Sequence, residues 1–220
     1  MTLSFMAKLI LSGNLKFSEG MIRLKDTYLT LAPSLFIAEI IKNYIVMKKG
    51  YILYLLSWIG GFLTVKSVIT LFKAKSAEQI YNVGMQLGES IGIGLYKTHD
   101  YYPGRYTHFI INNNPFSKWF GKTNNVMDYY ISGAMAGGGC FVHNSLCQNV
   151  ELKCIAKGDP HCEFLTGTER ELKDRGLWDV VKQRYKIDEI LPVQKYVYNN
   201  VDKIDESVLV RNALEMIEKL

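Results

Sequence analysis

An α+β fold, a small antiparallel sheet packed with helices, is predicted by three features. Short apolar runs bounded by glycine, proline and asparagine recur near the start, at Arg105 to Ile111 and around the cysteines. Between them lie longer segments with apolar residues at helical spacing. The 220 residues are 48% hydrophobic, enough to bury one good core. The sequence has no internal repeat and no low-complexity linker, so residues 1–220 read as one domain, with 168–220 as a charged, helical C-terminal extension.

Met6 to Leu11 is a short apolar stretch read as helix. Turn signals at Gly13-Asn14 and Ser18-Glu19-Gly20 separate Leu15 to Phe17, Met21 to Leu24 and Thr27 to Leu31, read as short antiparallel strands. Pro33-Ser34 opens a helix over Leu35 to Met47, which Lys48-Lys49-Gly50 ends. Tyr51 to Phe72 is apolar and long enough to span a bilayer. It holds Lys66 and several small polar residues, so it reads as a buried core helix, and stable membrane insertion is not expected. Ser76 to Gln79 is a capping-box pattern, and the helix it starts is expected to run to about Tyr96. Gly84, Gly88 and Gly92 form a stripe on it that predicts close approach of another backbone. Tyr101 to Gly104 reads as a loop, Arg105 to Ile111 as a strand that Asn112-Asn113-Asn114-Pro115 ends, and Phe116 to Asn125 as irregular. Val126 to about Phe141 is a helix rich in glycine, alanine and serine. Beyond Thr168, Leu177 to Arg184 and Glu206 to Leu220 read as helices.

The net charge of +5 is spread along the chain without a Lys/Arg run interleaved with aromatics, so nucleic acid is not an expected partner. The first residues lack a basic, then apolar, signal-peptide pattern. The four cysteines crowd into one segment, which reads as cytoplasmic thiols, free or metal-bound, rather than disulfides. Cys154 and Cys162 flank Gly158-Asp159-Pro160, a tight-turn sequence. A hairpin there brings two thiols together with Glu151 just upstream, most of a tetrahedral zinc site. Glu151 and Cys154 are three residues apart, so both reach one metal only at a bulge or strand end. From the residues alone, Cys154 reads as a buried core thiol and Glu151 as solvated. Cys140, His143 and Cys147 form a rival set, with His143 and Cys147 one helical turn apart.

Ser132 to Gly137, then Val150 to Cys154, then Gly158 to Phe164 resemble the 4-vinyl-reductase domain family. That family pairs a small-residue helix with a Glu-x-x-Cys strand and a Gly-Asp-x-x-Cys-x-Phe hairpin, and the match is most specific over 112–166. The resemblance implies a fold similar to trafficking-complex subunits of the TRAPP type. It also implies a sensor-type pocket for an apolar, aromatic or hydrocarbon ligand, as in stand-alone archaeal members and the input domains of aromatic-responsive activators. It implies a structural zinc held by Glu151, Cys154 and Cys162. Placing Gly133 on the family's helical glycine puts Asp128 where the family has a cysteine, with His161 as the substitute. A regulatory, non-enzymatic role is expected, with a homodimer or an output partner. A reductase-like enzyme acting on a tetrapyrrole vinyl group and an acyl-chain-holding scaffold are the alternatives. For the pocket, Phe116, Trp119, Tyr129, Tyr130 and Phe141 suit a flat apolar ligand, with Tyr hydroxyls or His108 as a polar anchor.

Overall fold

The computed structural model describes residues 5–18, 21–24, 27–29 and 32–220. The chain opens with α1 (Phe5–Leu11) and three short strands, β1 (Leu15–Ser18), β2 (Met21–Leu24) and β3 (Thr27–Leu29). The strands pair antiparallel in chain order, as expected. The expected turn at Glu19-Gly20 and the strand end at Thr30-Leu31 lie outside the described residues. Leu9 and Leu15 are buried against Phe5, Ile22, Leu71 and Phe72, which fastens this corner to the end of the long apolar helix.

Three helices follow: α2 (Ser34–Val46), α3 (Gly50–Phe72) and α4 (Ala77–Ser90). Ser76 caps α4 by accepting from the Gln79 N–H. The expected continuation of α4 to Tyr96 does not occur. Gly92 and Gly94 adopt positive φ angles of 85° and 127°, which an α-helix cannot continue through. The chain instead enters β4 (Leu95–Tyr102), which turns at Pro103-Gly104 into β5 (Tyr106–Asn112). Tyr101 and Tyr102, expected in a loop, are the last residues of β4. The strand was hard to read because Leu95 to Tyr102 lies at a sheet edge and is polar and largely exposed.

The segment expected to be irregular contains α5 (Pro115–Phe120). Asn114 accepts from the Phe116 and Ser117 N–H groups and Pro115 takes the first helical position, a helix start read from sequence only as a strand stop. Then come α6 (Tyr129–His143), β6 (Cys147–Lys153), a single 3₁₀ turn at Ile155–Lys157 and β7 (Cys162–Thr168). The second sheet has the order β4-β5-β7-β6, with every neighbour antiparallel. Helices α7 (Glu169–Asp174), α8 (Trp178–Tyr185), α9 (Ile187–Asn200) and α10 (Glu206–Ile217) complete the chain. Tyr185, Ile190, Val197 and Leu209 from this segment share one core with Tyr54, Trp58 and Phe62 of α3.

Helix α3 lies at the centre of the fold. Among the described residues it is the one helix long and apolar enough to cross a membrane, and half of its most apolar window is buried in the protein. Tyr54 and Trp58 are fully buried, and their polar atoms are satisfied by Gln148 Oε1 at 2.7 Å and the Cys147 carbonyl at 3.3 Å. Lys66, midway along the apolar segment, reaches the Val201 carbonyl and Asp202.

The close backbone approach falls elsewhere than expected. A Cβ on Gly84 or Gly92 would meet nothing within 4 Å, and one on Gly88 would meet only the Tyr96 ring. The contact is between α3 and α6. A Cβ on Gly61 would sit 2.2 Å from the Ala134 carbonyl oxygen, one on Gly133 2.2 Å from that of Tyr54, and one on Gly137 2.0 Å from that of Trp58. Gly137→Ala should therefore cost about 3 kcal/mol through forced separation of the helices. Gly84→Ala should be neutral or stabilise by up to about 1 kcal/mol through helix propensity. Urea denaturation of both variants checks this, and equal destabilisation would refute the packing argument.

Candidate metal centre and apolar cavity

Four acidic side chains meet where β6, β7, α5 and α6 converge. One donor atom from each of Asp128, Glu151, Cys154 and Cys162 lies within 4.8 Å of the others, and all four residues are buried. The local backbone explains how. The β6–β7 register runs Glu151↔Phe164 and then Lys153↔Glu163, so Leu152 is an extra residue in a bulge. Cys154 follows directly after the end of β6. Glu151 and Cys154 thus meet the condition that a shared metal demands of residues three apart. Asp128 stands at the N-terminus of α6 without capping it through its side chain, which is left to face the cluster. The hairpin turn is longer than expected, because the 3₁₀ turn precedes Gly158, whose φ is 97°. Asp159 accepts from the Cys154 N–H at 2.8 Å and locks this connection.

Two residues not anticipated from sequence hold the cluster. Asn114 Nδ2 and Ser117 Oγ donate to Asp128 Oδ2 at 2.7 and 2.8 Å, and Ser117 Oγ is 3.3 Å from Cys162 Sγ. The Asn-Pro helix start was the available signal, since it aims Asn114 and the first turn of α5 inward. Glu151 Oε2 accepts from the Asp128 N–H at 3.1 Å. Asp128 Oδ1 and Glu151 Oε1 are buried without any hydrogen-bond partner. Two cations lie close by: Lys153 pairs with Glu163, and Arg184 donates to the Glu151 backbone carbonyl at 3.1 Å.

Burial and the neighbouring Cys154 push the Asp128 carboxyl up to about 6. Burial, then Asp128, raises Glu151 as well. The two sulfurs divide: a hydrogen bond with Cys162 holds the Cys154 thiol down to about 5, and the same bond drives Cys162 upward. Two orphaned carboxylate oxygens facing two close sulfurs form a donor set that suits a divalent cation such as zinc.

Beside this cluster is a cavity of about 410 Å³. Its walls are Leu53, Ser57, Gly60 and Gly61 of α3, Ile80, Gly84 and Gly88 of α4, Tyr130, Met135 and Gly138 of α6, and Thr107, Phe109 and Thr166 of the sheet. The same elements carry the acidic cluster: Asp128 precedes α6, and Cys162 begins β7. Phe109 stacks on Phe164 at 5.5 Å between the two.

No protein-family model matches the chain, and no curated protein matches it in sequence. Among solved structures, it superposes on the phenol-responsive sensory domain of the transcription activator PoxR, solved with phenol. The TM-score is 0.65 at 16% identity, over 81% of this chain and 98% of that one. The two chains share a fold. A trafficking protein particle complex subunit 3 from Naegleria fowleri, covalently bound to palmitic acid, is similar at a TM-score of 0.48 and 11% identity. That match covers 61% of this chain and 93% of the other. The α+β class expected from sequence is the class found.

Of the aromatics expected at a pocket, Tyr130 lines the cavity. Phe116 lies behind it, edge-on at 5.7 Å. Tyr129, one helical step away, packs on Tyr185, and Phe141 packs on Phe62. Trp119 is exposed and donates to Ser34 Oγ. His108 points from the opposite face of the sheet, since its neighbours Thr107 and Phe109 face the cavity. The three residues of the rival metal set do not form one cluster: Cys140 and Cys147 lie together, with Cys140 Sγ accepting from the Cys147 N–H, while His143 Nε2 meets Thr107 Oγ1. His161 pairs with Glu163 at 3.3 Å.

The raised Asp128 fixes a sign for metal-free protein. The folded carboxyl keeps its proton to about pH 6, while an unfolded one releases it near ~4. The folded state then binds more protons, so this contribution to stability falls as pH rises through that window. His143, held down to about 4 by burial, and Cys154, held down to about 5 by its hydrogen bond with Cys162, act in the opposite sense. The Asp128 contribution is therefore read as a difference between wild type and Asp128→Asn. In chelator-treated protein the stability of wild type relative to Asp128→Asn should drop between pH 4.5 and 6 by urea denaturation. A rise would contradict the assignment.

Proposed function

We propose that the chain is a sensor-type, non-enzymatic small-molecule-binding domain that takes one apolar ligand, aromatic or hydrocarbon, in the cavity between α3, α4, α6 and the sheet. The observation that carries this is the cavity's lining. Aliphatic, aromatic and glycine residues dominate it, and a few hydroxyls from Ser57, Thr64, Thr107, Tyr130 and Thr166 can orient a bound group. The Thr166 hydroxyl accepts from Asn149 Nδ2 at 2.7 Å, which leaves its own proton free to donate to a ligand oxygen. The fold shared with a phenol-responsive sensory domain supports the aromatic class. The reading places the chain in the cytoplasm, as a homodimer.

The test is a melting-temperature screen with phenols, alkylbenzenes and fatty acids. A ligand at a hundredfold excess over its Kd should stabilise the protein by about 2.7 kcal/mol. Gly84→Leu should abolish that shift without loss of basal stability, because its side chain grows into free cavity space. A shift retained in Gly84→Leu would place the ligand elsewhere. A response to fatty acids alone would favour the acyl-chain scaffold.

In the same reading, Asp128, Glu151, Cys154 and Cys162 hold one structural zinc that braces the walls of the cavity. When bound, zinc would supply the positive charge that the orphaned oxygens call for and convert both thiols to thiolates. Elemental analysis should find about one zinc per chain at this cluster, lost in Cys154→Ser and Cys162→Ser and kept in Cys147→Ser. Metal-free protein from zinc-supplemented growth would overturn this assignment.

A further inference from the structure

We propose a second, solvent-accessible divalent-metal site on the outer face of the β4–β5 hairpin, formed by His99, Asp100 and His108 and oriented by Glu163. It does not depend on the cavity or on the buried cluster. The strand register makes it possible. Pairing runs Thr98↔Phe109 and then Asp100↔His108, so His99 is an unpaired residue in a bulge. In a regular strand, the neighbours His99 and Asp100 would face opposite ways. The bulge brings both to the side of His108, and one donor atom of each lies within 4.8 Å of the others.

The hydrogen-bond geometry favours a cation between them. His108 Nε2 is 2.8 Å from Glu163 Oε1, so it donates its proton there. In the neutral ring, Nδ1 is then a bare lone pair. It faces Asp100 Oδ2 at 3.7 Å, beyond hydrogen-bond range. Two acceptors looking at each other are reconciled by an ion between them. His99 Nδ1 approaches the same Asp100 oxygen at 3.0 Å. A metal-bound histidine usually donates its other ring N–H to a carboxylate, which fixes the ring, and Glu163 is held for that role by Lys153 at 2.6 Å. The side chains of His99 and Asp100 are 59% and 40% exposed, which leaves room for water at the remaining positions. Two imidazoles and a carboxylate suit zinc or a neighbouring transition ion, not calcium or magnesium. The competing arrangement is a metal-free imidazolium at His108 paired with Asp100 and Glu163.

Chelator-treated, metal-free protein is titrated with Zn²⁺ by calorimetry at pH 7.5. One zinc per chain should bind at this site, beyond any held by the buried cluster. It should be lost in His99→Ala, whose exposed side chain is not needed for folding, and in His108→Ala. Glu163→Gln should weaken it about tenfold or more. Cys154→Ser should retain it, which separates it from the buried cluster. No histidine-dependent zinc in either background, or undiminished binding in His99→Ala, would overturn the site.

Discussion

Backbone touches backbone where α3 crosses α6, and the positions of both candidate sites follow from that contact. Gly61, Gly133 and Gly137 have no room for a Cβ. This approach sets the height of α6 above the sheet. Tyr130, Ala134 and Gly138 then stand on the cavity side, while Asp128 stands at the N-terminal end beside Cys162. Side chains at the crossing would lift α6 away and open both sites together. The same contact explains why the N-terminal part of α3 is apolar on nearly every side: from Gly50 to Ile59 it is enclosed by α6 and by the C-terminal helices, with Tyr54 stacked on Tyr185 at 3.9 Å.

The buried cluster completes that frame at its other end. It ties the end of β6, the start of β7, the first turn of α5 and the N-terminus of α6 to one point. Two buried carboxylates without a cation are costly, and each orphaned oxygen adds a desolvation penalty of about 1–3 kcal/mol. A metal bound at that point would turn the penalty into a brace. Ligand occupancy and metal occupancy should therefore be felt by the same secondary elements, since α6 and β7 carry residues of both.

Much of the buried cluster was legible in the sequence because its parts are local. Glu151, Cys154 and Cys162 fall within twelve residues, and their spacing already required a bulge or a strand end, both of which occur. Asp128 came from a family resemblance, and its place beside the other three depends on packing that spacing cannot express. Asn114 and Ser117 were missed because Asn-Pro was read as the end of a strand and not as the start of a helix. The cavity was less legible still. Gly84 and Gly88 looked like a helix-packing stripe, yet both line the cavity, Gly84 facing open space and Gly88 the Tyr96 ring, because the close crossing belongs to Gly133 and Gly137. His108 looked like a pocket anchor, and strand alternation turns it to the opposite face.

Whether the space beside the α3–α6 crossing receives the ligand can be seen by methyl-resolved NMR with the aromatic compound that most raises the melting temperature. Saturable shifts are expected at Leu53, Val65, Met85, Ile93 and Met135, which line the cavity, and none at Val197 and Leu209 in the C-terminal part of the core. Saturable shifts confined to the C-terminal helices or to the surface, with the cavity methyls unmoved, would contradict binding in the cavity.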